Sequence, residues 1–222
     1  MILFLDSADA GLWTLAPGCA PVRGITTNPT LVHAAKLAVT LPTYLALIRS
    51  VQAAGLTELM LQLPGADVAL ARAWCSELQA AAVQAHVTLT VKLPCHPDWQ
   101  ATIAAVQDMG LPLLLTGVSN PMQLLWAQAQ GAHYVAPYIG RLQADGRDPW
   151  PFLQACVAVQ QQGGPRLLAA SIKSGDVLSR LVALGAYAAT IRPDFASDLA
   201  TDPLTDSALR QFDADVHASL AH

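Results

Sequence analysis

Eight short apolar runs alternate with longer Ala-, Leu- and Gln-rich segments along 222 residues. That alternation predicts an α/β fold, a single (β/α)8 TIM barrel with an additional C-terminal helix. Two further observations agree. Strands separated by helices pair in parallel, and the run count is the eight that a closed barrel needs. The composition, 53% hydrophobic and 13% charged, spends few positions on surface charge and leaves material for a large core. No linker or change of composition divides the chain, so one domain over 1–222 is expected. An open doubly wound sheet is the rival, and no GxGxxG or GxxxxGK[ST] follows the first strand to support it.

The strand candidates, in order, are ILFLD (2–6), GITTN (24–28), ELMLQLP (58–64), TLTVKLP (88–94), PLLLTG (112–117), HYVAPYI (133–139), RLLAASI (166–172) and YAATIRP (187–193). Helical spacing of apolar residues falls over about 40–54, 66–85, 97–109, 120–130, 149–163 and 174–185. Gly55, Gly110, Gly131 and Gly185 each follow a helix and precede a strand, as C′ glycines do. The loop over about 7–23 holds APGCAP and leaves room only for a short helix. Residues 203–220 read as a last amphipathic helix with Asp206 as its N-cap.

Several function classes are disfavoured. A net charge of −4 with no basic run argues against nucleic acid. No uncharged apolar run approaches about 18 residues, so no membrane span is expected. Cys19, Cys75, Cys95 and Cys156 form neither a CxxC pair nor a zinc-spaced cluster, and read as reduced thiols of a cytoplasmic protein. MILFLDSADA lacks a basic n-region and reads as a strand, not a signal peptide.

In a barrel of this kind the chemistry sits at the C-terminal strand ends. Alternation of side chains puts Asp6 in register with Ile2 and Phe4, and Gln62 with Met60. Lys92 shares a face with Thr88 and Thr90, Thr116 with Leu114, and Tyr138 with Tyr134 and Ala136. Ser171 is in register with Ala169, while strand two ends in Thr26 and Asn28. The opposite faces are nearly all Leu, Ile, Val or Pro. Seven polar ends on one parity point to a barrel mouth built for chemistry.

Lys92 is the centre of the set. Desolvation lowers an amine's pKa and makes it a nucleophile toward carbonyls, giving a Schiff base whose protonated form is an electron sink. A buried ion pair with Asp6 is the alternative reading. The other lysines are Lys36, on a solvated surface, and Lys173, with a phosphate-facing or surface role. His96 lines the mouth or lies on the loop surface, and His133 is structural. Trp74, Trp99, Trp126 and Trp150 are packing or interface residues. No metal-ligand set is evident, and no cofactor is expected.

FLDSAD (4–9), GITTNPTL (24–31), TVKLP (90–94), LLTG (114–117), YVAPYIGR (134–141) and LAASIKS (168–174), in that order, resemble the transaldolase family, and within it the small fructose-6-phosphate aldolase branch. The resemblance implies Lys92 as the Schiff-base lysine. Asp6 and Asn28, beside Thr26, would contact donor hydroxyls, with Asp6 assisting proton transfer. Thr116 and Gln62 would hold a catalytic water, and Tyr138 would act with that water as acid and base. Arg141 and Ser171 would hold an acceptor phosphate. Gln62 and Tyr138 stand where transaldolases carry glutamate and phenylalanine, which points to the aldolase. The only glutamates, Glu58 and Glu77, are elsewhere. The resemblance also implies a homo-oligomer, with a decamer as the form it suggests and the C-terminal helix against a neighbouring subunit.

The chain departs from the family at the rim. LPCHPDW follows the lysine, TGVSN replaces a Thr-Ala-Val-Tyr run, Gly140 stands where Asn is usual, LQADGRDPW lacks a double glycine, and Arg192 replaces a Leu. If Arg192 faced the mouth it would alter anion binding. The expected activity is a metal-independent class I aldolase acting on a dihydroxyacetone-type donor and an aldehyde such as glyceraldehyde 3-phosphate. A transaldolase, a sugar-phosphate-binding barrel without catalysis, and an aldolase with another acceptor remain open alternatives.

Overall fold

The computed structural model describes residues 1–220. Eight parallel strands close into a barrel in chain order: β1 (Ile2–Asp6), β2 (Val22–Thr26), β3 (Glu58–Gln62), β4 (Thr88–Pro94), β5 (Leu113–Thr116), β6 (Tyr134–Ala136), β7 (Arg166–Ala169) and β8 (Ala188–Ile191), with β8 pairing back onto β1. The helices are α1 (Pro29–Ala34), α2 (Leu41–Ala53), α3 (Val68–Gln84), α4 (Gln100–Asp108), α5 (Pro121–Ala129), α6 (Ile139–Ala144), α7 (Trp150–Gln161), α8 (Gly175–Leu184), α9 (Pro193–Asp198) and α10 (Pro203–Ser219). The architecture is the expected (β/α)8 barrel with a C-terminal helix, and the 7–23 loop holds only a short 3-10 turn, Ala10–Leu12.

Three helices are additions to the sequence reading. Each of α1, α6 and α9 has six residues and starts within three residues of a strand end, so strands two, six and eight are shorter than expected. Local chemistry explains the first. Asn28 caps α1 by accepting from Leu31 N at 3.0 Å, and Pro29 supplies a fixed φ at the first helical position. At α10 the cap is Asp202, not Asp206. Asp202 accepts from Leu204 N at 2.8 Å, and Pro203 follows it. Asp206 falls in the first turn, where its charge suits the helix dipole. Gly55, Gly110, Gly131 and Gly185 all have φ between 61° and 84°, as their helix-ending positions require.

Strand alternation produces two cores. Outward side chains such as Leu5, Ile25, Leu59, Leu61, Val91, Leu93, Leu115 and Ile191 pack under the helices. Trp74, Trp99, Trp126 and Trp150 are partly buried against this layer. Inward side chains Phe4, Met60, Leu114, Tyr134, Ala136, Leu168 and Ala188 fill the barrel. The residues that share strand parity with this plug emerge above and below it. Gly24 is fixed by close approach, because a Cβ there would stand 1.9 Å from the Glu58 carbonyl oxygen on the neighbouring strand. Among the described residues no helix is long and apolar enough to cross a membrane.

The floor of the barrel is polar. Glu58 is buried at the start of β3, accepts from Thr90 Oγ1 at 3.4 Å, and lies near Arg166, whose guanidinium stands 4.5 Å from the Tyr187 ring centroid. Burial lifts its carboxyl above the ordinary value of 4.5, and Arg23, Thr90, Tyr134 and Arg166 offset that only in part. The folded state therefore binds this proton more readily than the unfolded chain, and stability falls as pH rises from 4.5 through the raised folded value. Glu58→Gln cannot ionise. Its stability relative to the parent, measured from urea midpoints, is expected to be greater at pH 7 than at pH 4; an equal difference at both would contradict the assignment.

Candidate active site

At the upper end of the barrel a chain of side chains fixes Asp6. Thr26 Oγ1 donates to Asp6 Oδ1 at 2.8 Å and lies 2.6 Å from Thr190 Oγ1. A hydroxyl has one proton to give, so Thr190 donates to Thr26 as Thr26 donates to Asp6. Three adjacent strands, β8, β2 and β1, thus hold one carboxylate.

Lys92 lies on the inward face of β4, in register with Gln62 and Leu114. It is 4% exposed. Desolvation pushes its pKa below the ordinary lysine value, and the charge of Asp6 pulls part of the way back. Among the described residues Lys92 makes no salt bridge with Asp6, whose nearby charge only partly offsets the burial that lowers the pKa.

The third component is Tyr138. It follows β6, makes an isolated parallel bridge with Ala170, and precedes α6. Its hydroxyl lies 2.5 Å from Thr116 Oγ1 at the end of β5. The guanidinium of Arg141 stands 4.5 Å from the ring centroid. Burial raises the phenol's pKa, Asp6 adds to this, and Thr116 and Arg141 oppose it. At neutral pH the phenol keeps its proton and is a donor.

Ser171 reaches the site by a different route from the one its spacing suggests. β7 ends at Ala169, whose side chain belongs to the outer core, and Leu168 is the inward residue. Ser171 enters after the strand, with φ of 61° in the left-handed region, an uncommon conformation for a serine. Gly140 accommodates it. A Cβ on Gly140 would lie 2.7 Å from Ser171 Oγ and 3.0 Å from Lys173 Cε. The departure at Gly140 is therefore matched to the serine that faces it.

A cavity of about 460 Å³ opens over these strand ends. Its wall includes Asp6, Asn28, Tyr138, Arg141 and Ser171. Lys92, Thr26, Thr116 and Gln62 are not part of that wall. Thr26 joins it by bonding to Asp6, Thr116 by bonding to Tyr138, and Lys92 through the Asp6 charge. Gln62 stands beside Lys92 on β3; its carbonyl accepts from Tyr44 Oη at 2.7 Å.

Thr190, also in the cavity wall, was missed from sequence, although its parity with Ala188 on strand eight carried the signal. Arg192 does face the mouth, donating from Nε to Asp194 Oδ1 at 3.0 Å, and Lys173 lines the same cavity. His96 is exposed and accepts from Asp98 N at 3.3 Å, on the loop surface. His133 accepts from Leu113 N at 3.3 Å at the opposite strand end. Among the described residues no group of three or more His, Cys, Asp and Glu side chains is placed to hold a metal ion.

The site combines a desolvated amine, a fixed carboxylate, a protonated phenol and a rim of mixed charge that includes Arg141 and Lys173. Comparison with known proteins gives it a family. Residues 3–222 match the model of the family described as Transaldolase/Fructose-6-phosphate aldolase. A "Probable transaldolase" from Caulobacter vibrioides (strain NA1000 / CB15N) is 32% identical over 96% of this chain and 94% of the relative. Another "Probable transaldolase", from Caulobacter sp. (strain K31), is 33% identical over the same shares. Among solved structures, "PaMucR Phosphodiesterase, c-di-GMP complex" matches with a TM-score of 0.55 at 16% identity, covering 79% of this chain and 85% of that one, a likeness of fold alone. The chain belongs to the transaldolase/fructose-6-phosphate aldolase family.

Proposed function

We propose that this protein is a class I aldolase of the fructose-6-phosphate aldolase type, working through a Schiff base on Lys92. The observation that carries the reading is the buried Lys92 amine within reach of the Asp6 charge, with Asp6 and the Tyr138 phenol in the wall of one cavity. The neutral amine attacks the carbonyl carbon of a dihydroxyacetone-type ketone, and the carbinolamine loses water to give an iminium ion. Loss of a proton from the adjacent hydroxylated carbon gives an enamine, with the electron pair held by the iminium nitrogen. The enamine carbon attacks an aldehyde such as glyceraldehyde 3-phosphate, the new alkoxide takes a proton, and water hydrolyses the iminium to free the ketose and the amine. The same steps run backward in cleavage.

Each residue has a role in this reading. Asp6, held by Thr26, contacts donor hydroxyls together with Asn28 and assists proton transfer. Tyr138 exchanges the proton at the reacting carbon through a water held by Thr116 and Gln62. Arg141 and Ser171 take the acceptor phosphate, and no metal or organic cofactor enters the cycle. The protein is a cytoplasmic one that acts on small molecules.

A second reading is a transaldolase, favoured by the names of the Caulobacter relatives. It would pass the three-carbon unit between sugar phosphates instead of releasing it. Gln62 and Tyr138 favour the aldolase, because a phenol supplies a proton that phenylalanine lacks. A homo-oligomer is part of the proposal. Leu209, Phe212 and Val216 form an exposed apolar stripe on α10, none of whose residues is buried, and a second copy would cover it.

Three measurements test these statements. Borohydride with dihydroxyacetone is expected to add one reduced donor unit, the ketone less its carbonyl oxygen, at Lys92, and Lys92→Met to abolish both the adduct and turnover; no adduct on the parent leaves only a binding protein. With fructose 6-phosphate and no added aldehyde, the parent is expected to release free dihydroxyacetone. Tyr138→Phe should lower that release about 10²–10⁴-fold, the usual scale of general acid–base catalysis, and shift activity toward transfer, while the borohydride adduct persists. Full cleavage by Tyr138→Phe would remove the phenol from the mechanism. Phe212→Glu is expected to give a smaller species than the parent in sedimentation; identical sedimentation would place the subunit contact elsewhere.

A further inference from the structure

The candidate cavity does not end at the strand tips. A second cavity of about 560 Å³ adjoins it, walled by the segment after β1, the end of α1 and the start of α9. Four residues line both: Asp6, Leu31, Arg192 and Asp194. Arg192 and Asp194 form a doubly hydrogen-bonded pair, and Asp194 is itself held by accepting from Phe195 N at 2.9 Å. This braced pair, with Leu31, marks the boundary between the two spaces.

The two cavities differ in charge. The first balances Arg141, Lys173 and Arg192 against Asp6, Asp194 and Asp198. The second has Arg192 as its one cation, already committed to Asp194, against Asp6, Asp9 and Asp194. Asp9 and Ser7 are occupied locally, since Asp9 accepts from Gly11 N at 2.9 Å and Ser7 Oγ accepts from Asp9 N at 3.1 Å. The rest of that wall is largely Ala8, Leu12, Ala34 and Ala35. Such a space repels a phosphate and suits an uncharged chain.

We propose that the second cavity is a donor subsite, taking an uncharged alkyl or hydroxyalkyl chain on the ketone beyond its first three carbons, with the Arg192–Asp194 pair as the specificity-determining boundary. This rests on the Schiff-base reading, in which Asp6 faces the donor. Asp6 lies in both walls, whereas Arg141 and Lys173 belong to the first cavity alone. Donor extension and acceptor phosphate are thereby directed to different cavities. Burial of one methylene gives about a fourfold gain in affinity, so lengthening the chain should lower the donor's KM.

The test is a series of 1-hydroxy-2-alkanones from three to six carbons, scored by the borohydride adduct at Lys92 and by condensation with glyceraldehyde 3-phosphate. The parent is expected to form adducts with all of them, with KM falling along the series. Ala34→Phe and, separately, Ser197→Leu fill only the second cavity. Each should raise the six-carbon donor's KM at least tenfold and leave the three-carbon donor unchanged. Arg192→Ala removes half of the boundary and should lower the six-carbon KM. If the parent traps the three-carbon ketone but not the six-carbon one, or if both filling variants affect the two donors equally, the subsite is refuted while the aldolase reading stands. If no ketone in the series gives an adduct, the Schiff-base reading fails first.

Discussion

Everything at the barrel mouth depends on one costly placement, an amine on β4 with almost no access to water. Burying an ammonium without compensation is expensive, and the group responds by giving up its proton more easily. The compensation here is partial. Asp6 favours the charged form, yet burial outweighs it, so the net direction for Lys92 is downward. Full compensation by a tight ion pair would make the lysine a structural cation. With no compensation, the folded chain would carry the whole penalty. The Thr190–Thr26–Asp6 chain sets the middle course, because hydroxyls from two other strands fix the carboxylate and share its negative charge.

That balance requires a dry interior, and the apolar plug supplies it. Phe4, Met60, Leu114 and Leu168 close the barrel between the mouth and the polar floor around Glu58. Two polar regions thus share one barrel without sharing water. The outer core under the helices is made by the opposite strand faces, so the residues that hold the fold and the residues that line the barrel interior alternate along the same strands. This is how a barrel can keep its stability while its mouth accumulates unfavourable burial.

Period-two alternation made most of this legible in the sequence. Asp6, Lys92, Thr116 and Tyr138 were found by parity, and the same argument reaches Thr190 on strand eight. The reading failed where the backbone stops being a strand. Ser171 was assigned by counting from Ala169, but β7 has ended and the chain has turned through a left-handed residue. Helices α1, α6 and α9 were invisible because six residues give too few turns for an apolar period to emerge. Residue type alone does not separate Asp206 from Asp202 as a cap, and Asp202, directly before Pro203, is the one that accepts from Leu204 N.

The short helices also shape the rim of the mouth. A strand end fixes a side chain through ladder hydrogen bonds to both neighbours, so a change there disturbs three strands together. A six-residue helix after a strand is fixed mainly by its cap and by what lies against it. Gly140, the second residue of α6, gives Ser171 and Lys173 room a Cβ would fill, and Arg192 stands at the start of α9 with its guanidinium bonded to Asp194 two residues on. Substitutions at such positions alter the shape and charge of the rim without moving Lys92, Asp6 or Thr116. The strand-end groups and the rim groups are therefore held by different physical means. The strand ladder is stiff and shared, whereas the rim is made of local turns that can be rebuilt one at a time.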